Sequence, residues 1–565
     1  MRSKLMMGFG LLLATAIGGR HPAGAQTPAG DSLKNGLVAH WPLAGDLRDR
    51  SGNGLDAEAR GTIDPKAPGR DGKPGGAVGL DGRGQLIVPA SPALDLGDSD
   101  LTISAWINTE GDADSPIGDI LSRYDSAARR GLILGVKTSA GVTFSQANYR
   151  HLQFGIDDDR ESSWDPAGRP GGDGTLLAFA LVEHDGQLYA GTCRPGEGDS
   201  GRVYRYVQGT EWADCGAPDG SNAVTAMAVY QGKLYAGTGR YRVAGSSLPE
   251  SPNETPGGRV FRYEGGTTWT DCGALPESIA VGGLAVFQGK LHAGSLYAPA
   301  GFFRYDGGTT WTALKTPGAR VEAITAFDGA LYASSYDKGH VFRFDGQSWD
   351  DLGPLGDPTI NTQTYSFAVY QGGLHVGTWR SGRVYRLAKG DKWDDLGQLG
   401  EELEVMGMLV HNGRLMAGSL PLANVYRYEG DQRWRLLRQL DATPDVVYRR
   451  AWTMAEHAGR LFVSTLPSGE VFSYRAGASA SHGKPLPGGW RHVAAVRSGD
   501  SLRLFVDGHE VASTTVADSG TFNLSTQGPL MIGSGPNAPF RGRLSEVRLY
   551  NRALAGDEIH ALAAP

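Results

Sequence analysis

Eight residues stand where this sequence could carry chemistry. Glu322, Tyr365 and Trp452 each lie nine positions ahead of a leucine in a recurring strand, and Arg240, Tyr241, Tyr336, Trp379 and Arg380 lie in the loops that follow that strand. Aromatic rings beside arginines and one acid suit a ligand-binding surface, because flat rings stack on the apolar faces of sugars while charged groups orient hydroxyls. They do not suit hydrolysis, since no pair of carboxylates is placed at the separation of about 5 to 9 Å that a glycosidase needs. A GxSxG elbow, an HExxH motif, a P-loop and a GxGxxG in strand-to-helix context are all missing. His151, His292, His375, His457 and His492 occur singly within strand patterns and read as packing or surface residues, so no catalytic residue is assigned.

The elements that must position these residues are repeats. A short apolar strand, a tight turn and a GKLYAGT-type strand recur around Leu188, Leu234, Leu291, Leu331, Leu374, Leu415 and Leu461, with a mean spacing of about 45 residues. A third strand follows each, as in GRVFRY at Val260, and then a turn and a tryptophan strand at Trp212, Trp269, Trp311, Trp349, Trp393 and Trp434. The seventh tryptophan is upstream, at Trp164, 24 residues ahead of Leu188 and so within the 20 to 27 residues that separate each other tryptophan from its next leucine. Residues 158–480 are therefore expected to form a seven-bladed β-propeller whose last blade takes its outer strand from near Trp164 and its inner strands from about Trp452 to Tyr474, a closure that leaves no sheet edge exposed. Arginines recur at one place in the third strand (Arg205, Arg262, Arg304, Arg343, Arg386, Arg427), which marks a packing role, with turn acids such as Glu264, Asp306, Asp345 and Glu429 as partners. Asp306–Trp311 resembles the Asp box of sialidase-like propellers, a peripheral folding motif, with Arg304 where that motif has Ser. The innermost strands carry small residues such as Ala180, Ala226, Gly283 and Thr453, which predicts a narrow, nearly uncharged central channel.

Composition agrees with a large all-β protein. Glycine fills 84 of 565 positions beside 40% hydrophobic residues and 12 tryptophans, which excludes collagen and disorder and asks for many tight turns. A net charge of −7, from 54 basic and 61 acidic residues, offers no basic field for nucleic acid. Cys193, Cys215 and Cys272 permit at most one disulfide, a Cys193–Cys215 bridge being the one to test, and show no zinc spacing. Arg2 and Lys4, the apolar run from Leu5 to Ile17 and Ala23-Gly24-Ala25 read as a signal peptide over residues 1–25, so the mature chain is expected to be secreted or periplasmic, with no integral membrane segment.

The flanks of the repeat resemble the two halves of one further domain. GLVAHWPLAGDLRDRSGNG, AVGLDGRGQLIVPAS and DLTISAWINTE on one side, and Trp490–Val493, Phe505–Gly508 and Ser545–Leu554 on the other, are similar to a laminin-G-like jelly roll of the concanavalin A-like lectin/glucanase class. The resemblance covers residues 33–157 and 485–565, and implies a jelly-roll β-sandwich interrupted by the propeller. Because the jelly roll takes the place of one outer turn of the last blade, it should hang from the turn side of the ring and leave the opposite face free. The loop Asp49-Arg50-Ser51-Gly52-Asn53-Gly54 resembles a loop that in this family often holds structural Ca²⁺. Asp49 and Asn53 would supply only part of the six to eight oxygens that calcium takes, and the same residues also fit a metal-free Asx/Gly turn. The expected function is recognition of a glycan or extracellular protein through the jelly-roll loops and propeller rim, without chemistry of its own; the alternative is a carbohydrate-active enzyme with a propeller active site and the jelly roll as its binding module.

Overall fold

The computed structural model describes residues 32–111, 114–160, 163–516 and 521–564; the signal-peptide reading falls outside them. Seven four-stranded antiparallel sheets form a ring. Blade 1 spans 177–214, blade 2 spans 223–274, blade 3 spans 281–313, blade 4 spans 324–354, blade 5 spans 363–398 and blade 6 spans 404–439. Blade 7 is built from Arg450–His457, Arg460–Leu466 and Val471–Tyr474, closed on its outer edge by Trp164–Gly168, with Tyr474 opposite Trp164.

The repeated residues account for the ring. In each of blades 1 to 6 the outer-strand tryptophan donates its indole N–H to a carbonyl of the preceding blade or the link leaving it, as Trp269 does to Cys215 at 2.8 Å and Trp311 to Cys272 at 2.9 Å. Trp212 of blade 1 donates to Ala167 of blade 7 at 2.7 Å, so the clip also crosses the closure. The glycine of the AGT strand stands where the next blade approaches: a Cβ at Gly237 would lie 2.6 Å from the Val281 side chain, and one at Gly418 would be driven into the Ala451 carbonyl oxygen. Gly418→Ala is therefore expected to open the seam between blades 6 and 7 and to lower unfolding stability by about 1–3 kcal/mol, the usual range for overpacking, read by urea denaturation. The third-strand arginines are held at the periphery, Arg262 on Glu264 and Arg304 on Asp306, but Arg343 bonds Asp350 and Asp391, leaving Asp345 to cap its own turn. Cys193, Cys215 and Cys272 are buried free thiols, so the Cys193–Cys215 bridge does not form.

The two flanks form one antiparallel strand path around a second core that contains Trp41, Ile103, Phe154, Leu504 and Phe540. Its central strands alternate between the halves, Leu101–Thr109 lying between Arg541–Tyr550 and Gly489–Ser498, so neither half closes alone. The returning half begins earlier than position 485, because Ala478–Pro485 already pairs with Ser145–Asp158. The jelly roll packs on the face bearing the turns between the first and second strands of the blades: Gly186 donates to Gly483, Gln371 to Pro536, and Asn412 to Ile156 and Ala476.

The central channel is not empty. Two unusually long jelly-roll strands, Arg130–Val142 and Ser145–Asp158, project as a hairpin into the ring and touch the innermost strand of every blade. Innermost strands of a propeller leave one edge unpaired toward the axis. Here the hairpin supplies partners: Leu284 N donates to Phe144 O, Met227 N to Ser145 Oγ and Glu456 N to Asn148 Oδ1. The predicted uncharged channel also needs correction, since ion pairs bind the hairpin shaft. Lys137 meets Glu456, Asp157 meets Arg414, and His151 lies 2.9 Å from Glu183, which also takes His457 at 3.0 Å. His151 thus serves as a hairpin contact, and His457 joins blade 7 to the same glutamate of blade 1.

Candidate functional site

On the ring face opposite the jelly roll, the hairpin ends at Phe144, and above it lies a cavity of about 590 Å³. Phe144 is its floor, stacked at 5.8 Å on Phe179 and 5.9 Å from Tyr365. The wall is largely aromatic: Tyr241, Tyr297, Tyr336, Tyr365, Trp379, Tyr448 and Trp452 all line it. Tyr336 and Tyr365 stack at 5.3 Å, and Trp379 meets Tyr448 edge-on at 6.0 Å.

One side of the wall is a long loop, residues 240–257, between the second and third strands of blade 2. Asn222 anchors it by donating to Tyr241 O at 3.0 Å and accepting from Tyr241 N at 2.7 Å, and the tyrosine hydroxyl bonds Ser246 at 2.6 Å. The short helical turn that follows is held by Glu250, which accepts from the N–H groups of Val243, Ala244 and Ser251. Those bonds keep the Glu250 carboxyl below its ordinary value against the opposing effect of burial. Arg242 stacks on Tyr297 at 4.7 Å.

The structure brings together five of the eight residues singled out from sequence, Tyr241, Tyr336, Tyr365, Trp379 and Trp452. The other three lie apart from the wall. Arg240 pairs with Glu254 at 3.2 Å, and Arg380 covers the Trp379 ring from 5.5 Å. Glu322 is not a rim residue: it is wholly buried, both carboxylate oxygens lack a partner, and burial holds its pKa well above the usual range. The cause is local. The innermost strand of blade 4 is only Ile324–Phe327, so Glu322 precedes it and does not share the setting of Tyr365 and Trp452, which lie within strands.

The polar residues of the wall that were missed include Glu404 and Arg450. Each lies eleven positions ahead of its marker leucine, two before the place singled out, and residues two apart on a strand share a face. The same position gives Leu177, Ala223 and Ala280 in blades 1 to 3, then Arg320, Gln363, Glu404 and Arg450 in blades 4 to 7. The period of two was the available signal. Glu404 is 4% exposed, and burial, opposed by Arg450, pushes its carboxyl up to about 7. Arg450 lies 5.4 Å from the Tyr448 ring and 5.7 Å from that of Trp452.

The Asp49 loop is a closed turn. Its carboxylate accepts from His40 N at 2.9 Å, Ser51 N at 2.8 Å, Ser51 Oγ at 2.7 Å and Leu55 N at 3.1 Å, while Asn53 Nδ2 donates to Val38 O at 2.8 Å. Both Asp49 oxygens are thus engaged by protons, and no group of three or more His, Cys, Asp or Glu side chains gathers for a metal among the described residues. The loop as folded does not fit a Ca²⁺ shell. EDTA is accordingly expected to leave the Tm unchanged, whereas Asp49→Ala lowers it; a fall in Tm with EDTA, restored by calcium, would overturn this.

A family model described as the concanavalin A-like lectin/glucanases superfamily matches residues 443–560, from the last blade through the returning half of the jelly roll. No curated protein matches the chain. Among solved structures, a streptogramin B lyase aligns with 56% of this chain and 98% of its own at 11% identity and a TM-score of 0.44. A catalytically inactive virginiamycin B lyase from Staphylococcus aureus with quinupristin aligns with 56% of this chain and 99% of its own at 8% identity and a TM-score of 0.42. BamB from Moraxella catarrhalis covers 66% of this chain and 97% of its own at 13% identity and a TM-score of 0.34. At this level the likenesses enter no argument about activity. The protein is an all-β molecule in which a laminin-G-like jelly roll is interrupted by a seven-bladed β-propeller. No helix among the described residues is long and apolar enough to cross a membrane.

Proposed function

We propose that this is an exported recognition protein that binds a glycan, free or on an extracellular protein, in the cavity of the open propeller face, with the jelly-roll loops as a second contact surface. The supporting observation is the aromatic wall above Phe144: a closed-floored cavity of about 590 Å³ fits one or two sugar rings, and tyrosine and tryptophan faces stack on them. The rings are already locked by mutual contacts and hydrogen bonds, so little ordering cost attends binding. A glycan array probed with the mature chain tests the reading. Binding is expected, and Tyr365→Ala should weaken it tenfold or more; an array without a single specific signal overturns it.

One observation favours an enzyme as the second reading. Glu404, with a pKa near 7, is suited to proton transfer at neutral pH. Glycoside hydrolysis needs a second carboxylate across the bond, and the other cavity acid, Glu250, is engaged by three backbone N–H groups. A glycosidase and lyase screen separates the readings: turnover abolished by Glu404→Gln or Glu322→Gln would establish the enzyme.

A further inference from the structure

Among the charged groups on the cavity wall, Arg450 touches the Tyr448 and Trp452 rings but has neither an ion pair nor a hydrogen-bond acceptor among the described residues. Glu250 is held by backbone N–H groups, and the Arg242 guanidinium lies on the Tyr297 ring. Behind Tyr336, Arg320 is paired with Asp337 at 2.9 Å. Arg450 is 8% exposed, forms no ion pair, and its Nε and Nη1 are buried without an acceptor. Its one acidic neighbour, Glu404 in the adjacent blade, stands at the equivalent repeat position without closing onto it. A buried guanidinium with no acceptor is costly, and what satisfies it best is a planar carboxylate offering two oxygens.

We propose that the cavity takes a sugar bearing a carboxylate, a uronic acid unit of an acidic glycan, and that Arg450 receives the carboxylate while the tyrosine and tryptophan faces hold the ring. This rests on the glycan reading of the same cavity. Glu404 sets the conditions. The titratable and charged groups that line the cavity with it are Arg450 of blade 7, Tyr365 and Tyr336 of blades 5 and 4, Tyr448, Tyr297 of blade 3, and Tyr241, Arg242 and Glu250 of the blade 2 loop. Burial pushes the hydroxyls of Tyr241, Tyr336 and Tyr365 up, so these three stay uncharged. Below about pH 7 Glu404 carries its proton and donates to the ligand; above it, the ionised carboxylate repels the ligand's own. Binding therefore weakens as pH rises through 7, the reverse of what a cationic ligand would do.

Calorimetric titration of the mature chain with D-glucuronate, D-glucose, D-glucosamine and acetate at pH 6 and pH 8 tests this. Glucuronate should bind at least tenfold more tightly than glucose at pH 6 and lose affinity at pH 8. Arg450→Gln should cost tenfold or more, the range for a charge-assisted hydrogen bond, with partial retention in Arg450→Lys. Glu404→Gln should bind at pH 6 and no longer respond to pH. Equal binding of glucose and glucuronate, or tighter binding of glucosamine, overturns the carboxylate proposal and leaves the glycan reading standing. Acetate binding as tightly as glucuronate overturns the sugar part, and no binding by any sugar overturns both. Circular dichroism of each variant, matched to the parent, separates lost binding from lost fold.

Discussion

Glu456→Gln is expected to destabilise the folded protein by about 3–5 kcal/mol, the cost of leaving a buried charge without its partner. Glu456, on the innermost strand of blade 7, is 5% exposed and takes both Lys137 of the hairpin and His411 of blade 6, the latter at 2.8 Å. Lys137 is 6% exposed, and among the described residues its only other acceptor is the Val410 carbonyl. Neutralising Glu456 strands the ammonium inside the ring. Lys137→Met/Glu456→Gln, which removes both charges, should recover at least half of the loss. Urea denaturation of the four proteins in the cycle measures the coupling, and a single Glu456→Gln variant within about 1 kcal/mol of the parent would remove the hairpin's ion pair from the account of stability. The pair also sets an acid limit. Burial raises the Glu456 carboxyl, but Lys137 and His411 outweigh it and hold the pKa at about 2 against an ordinary 4.5. The contribution is complete above about pH 4.5 and is lost as pH falls toward 2. Glu456→Gln should lack that part of the acid-unfolding profile.

The second large effect is expected at the hairpin tip. Phe144 is 2% exposed and forms a cluster with Phe179, Tyr365, Met406 and Trp452 from four blades. Phe144→Ala should cost about 3–5 kcal/mol, and Phe144→Leu much less, because the larger side chain still fills the bore. Removing the ring also drops the floor of the cavity. Phe144→Ala should therefore lose ligand affinity as well as stability, whereas Asp49→Ala, in a jelly-roll turn that does not line the cavity, should lose stability alone. Parallel denaturation and binding measurements tell these outcomes apart.

What could be read from sequence was whatever repeats. Leu188 to Leu461 located the blades, and the displaced Trp164 located the shared one, because each blade has one outer-strand tryptophan and Trp164 supplies it to the last. The hairpin was illegible because it occurs once, and its partners lie up to 319 residues away along the chain. Its one local sign was a loop tip, Val142-Thr143-Phe144-Ser145, with buried apolar residues where a solvent-facing turn would be polar. The small residues read as a narrow channel had a different meaning: a Cβ on Gly407 would meet the backbone of Thr453, and one on Gly283 the Glu322 carbonyl, so they let neighbouring innermost strands come close. The cavity was half legible. Its aromatic residues stood out from the repeat, but Glu404 and Arg450 lie at strand starts, where a bulge later in each strand shifts the register and obscures their common face.

The hairpin also bears on the order in which the molecule can be made. Residues 130–158 leave the ribosome before any blade strand, and the strand that flanks them in the jelly roll, Ala478–Pro485, emerges only after the last of the blades. The hairpin therefore waits, apolar tip exposed and one edge unpaired, while the blades are synthesised. Assembly around the hairpin, as on a spindle, gives each blade its axial partner as it docks, and the nascent chain needs shielding for as long as translation of the insert lasts.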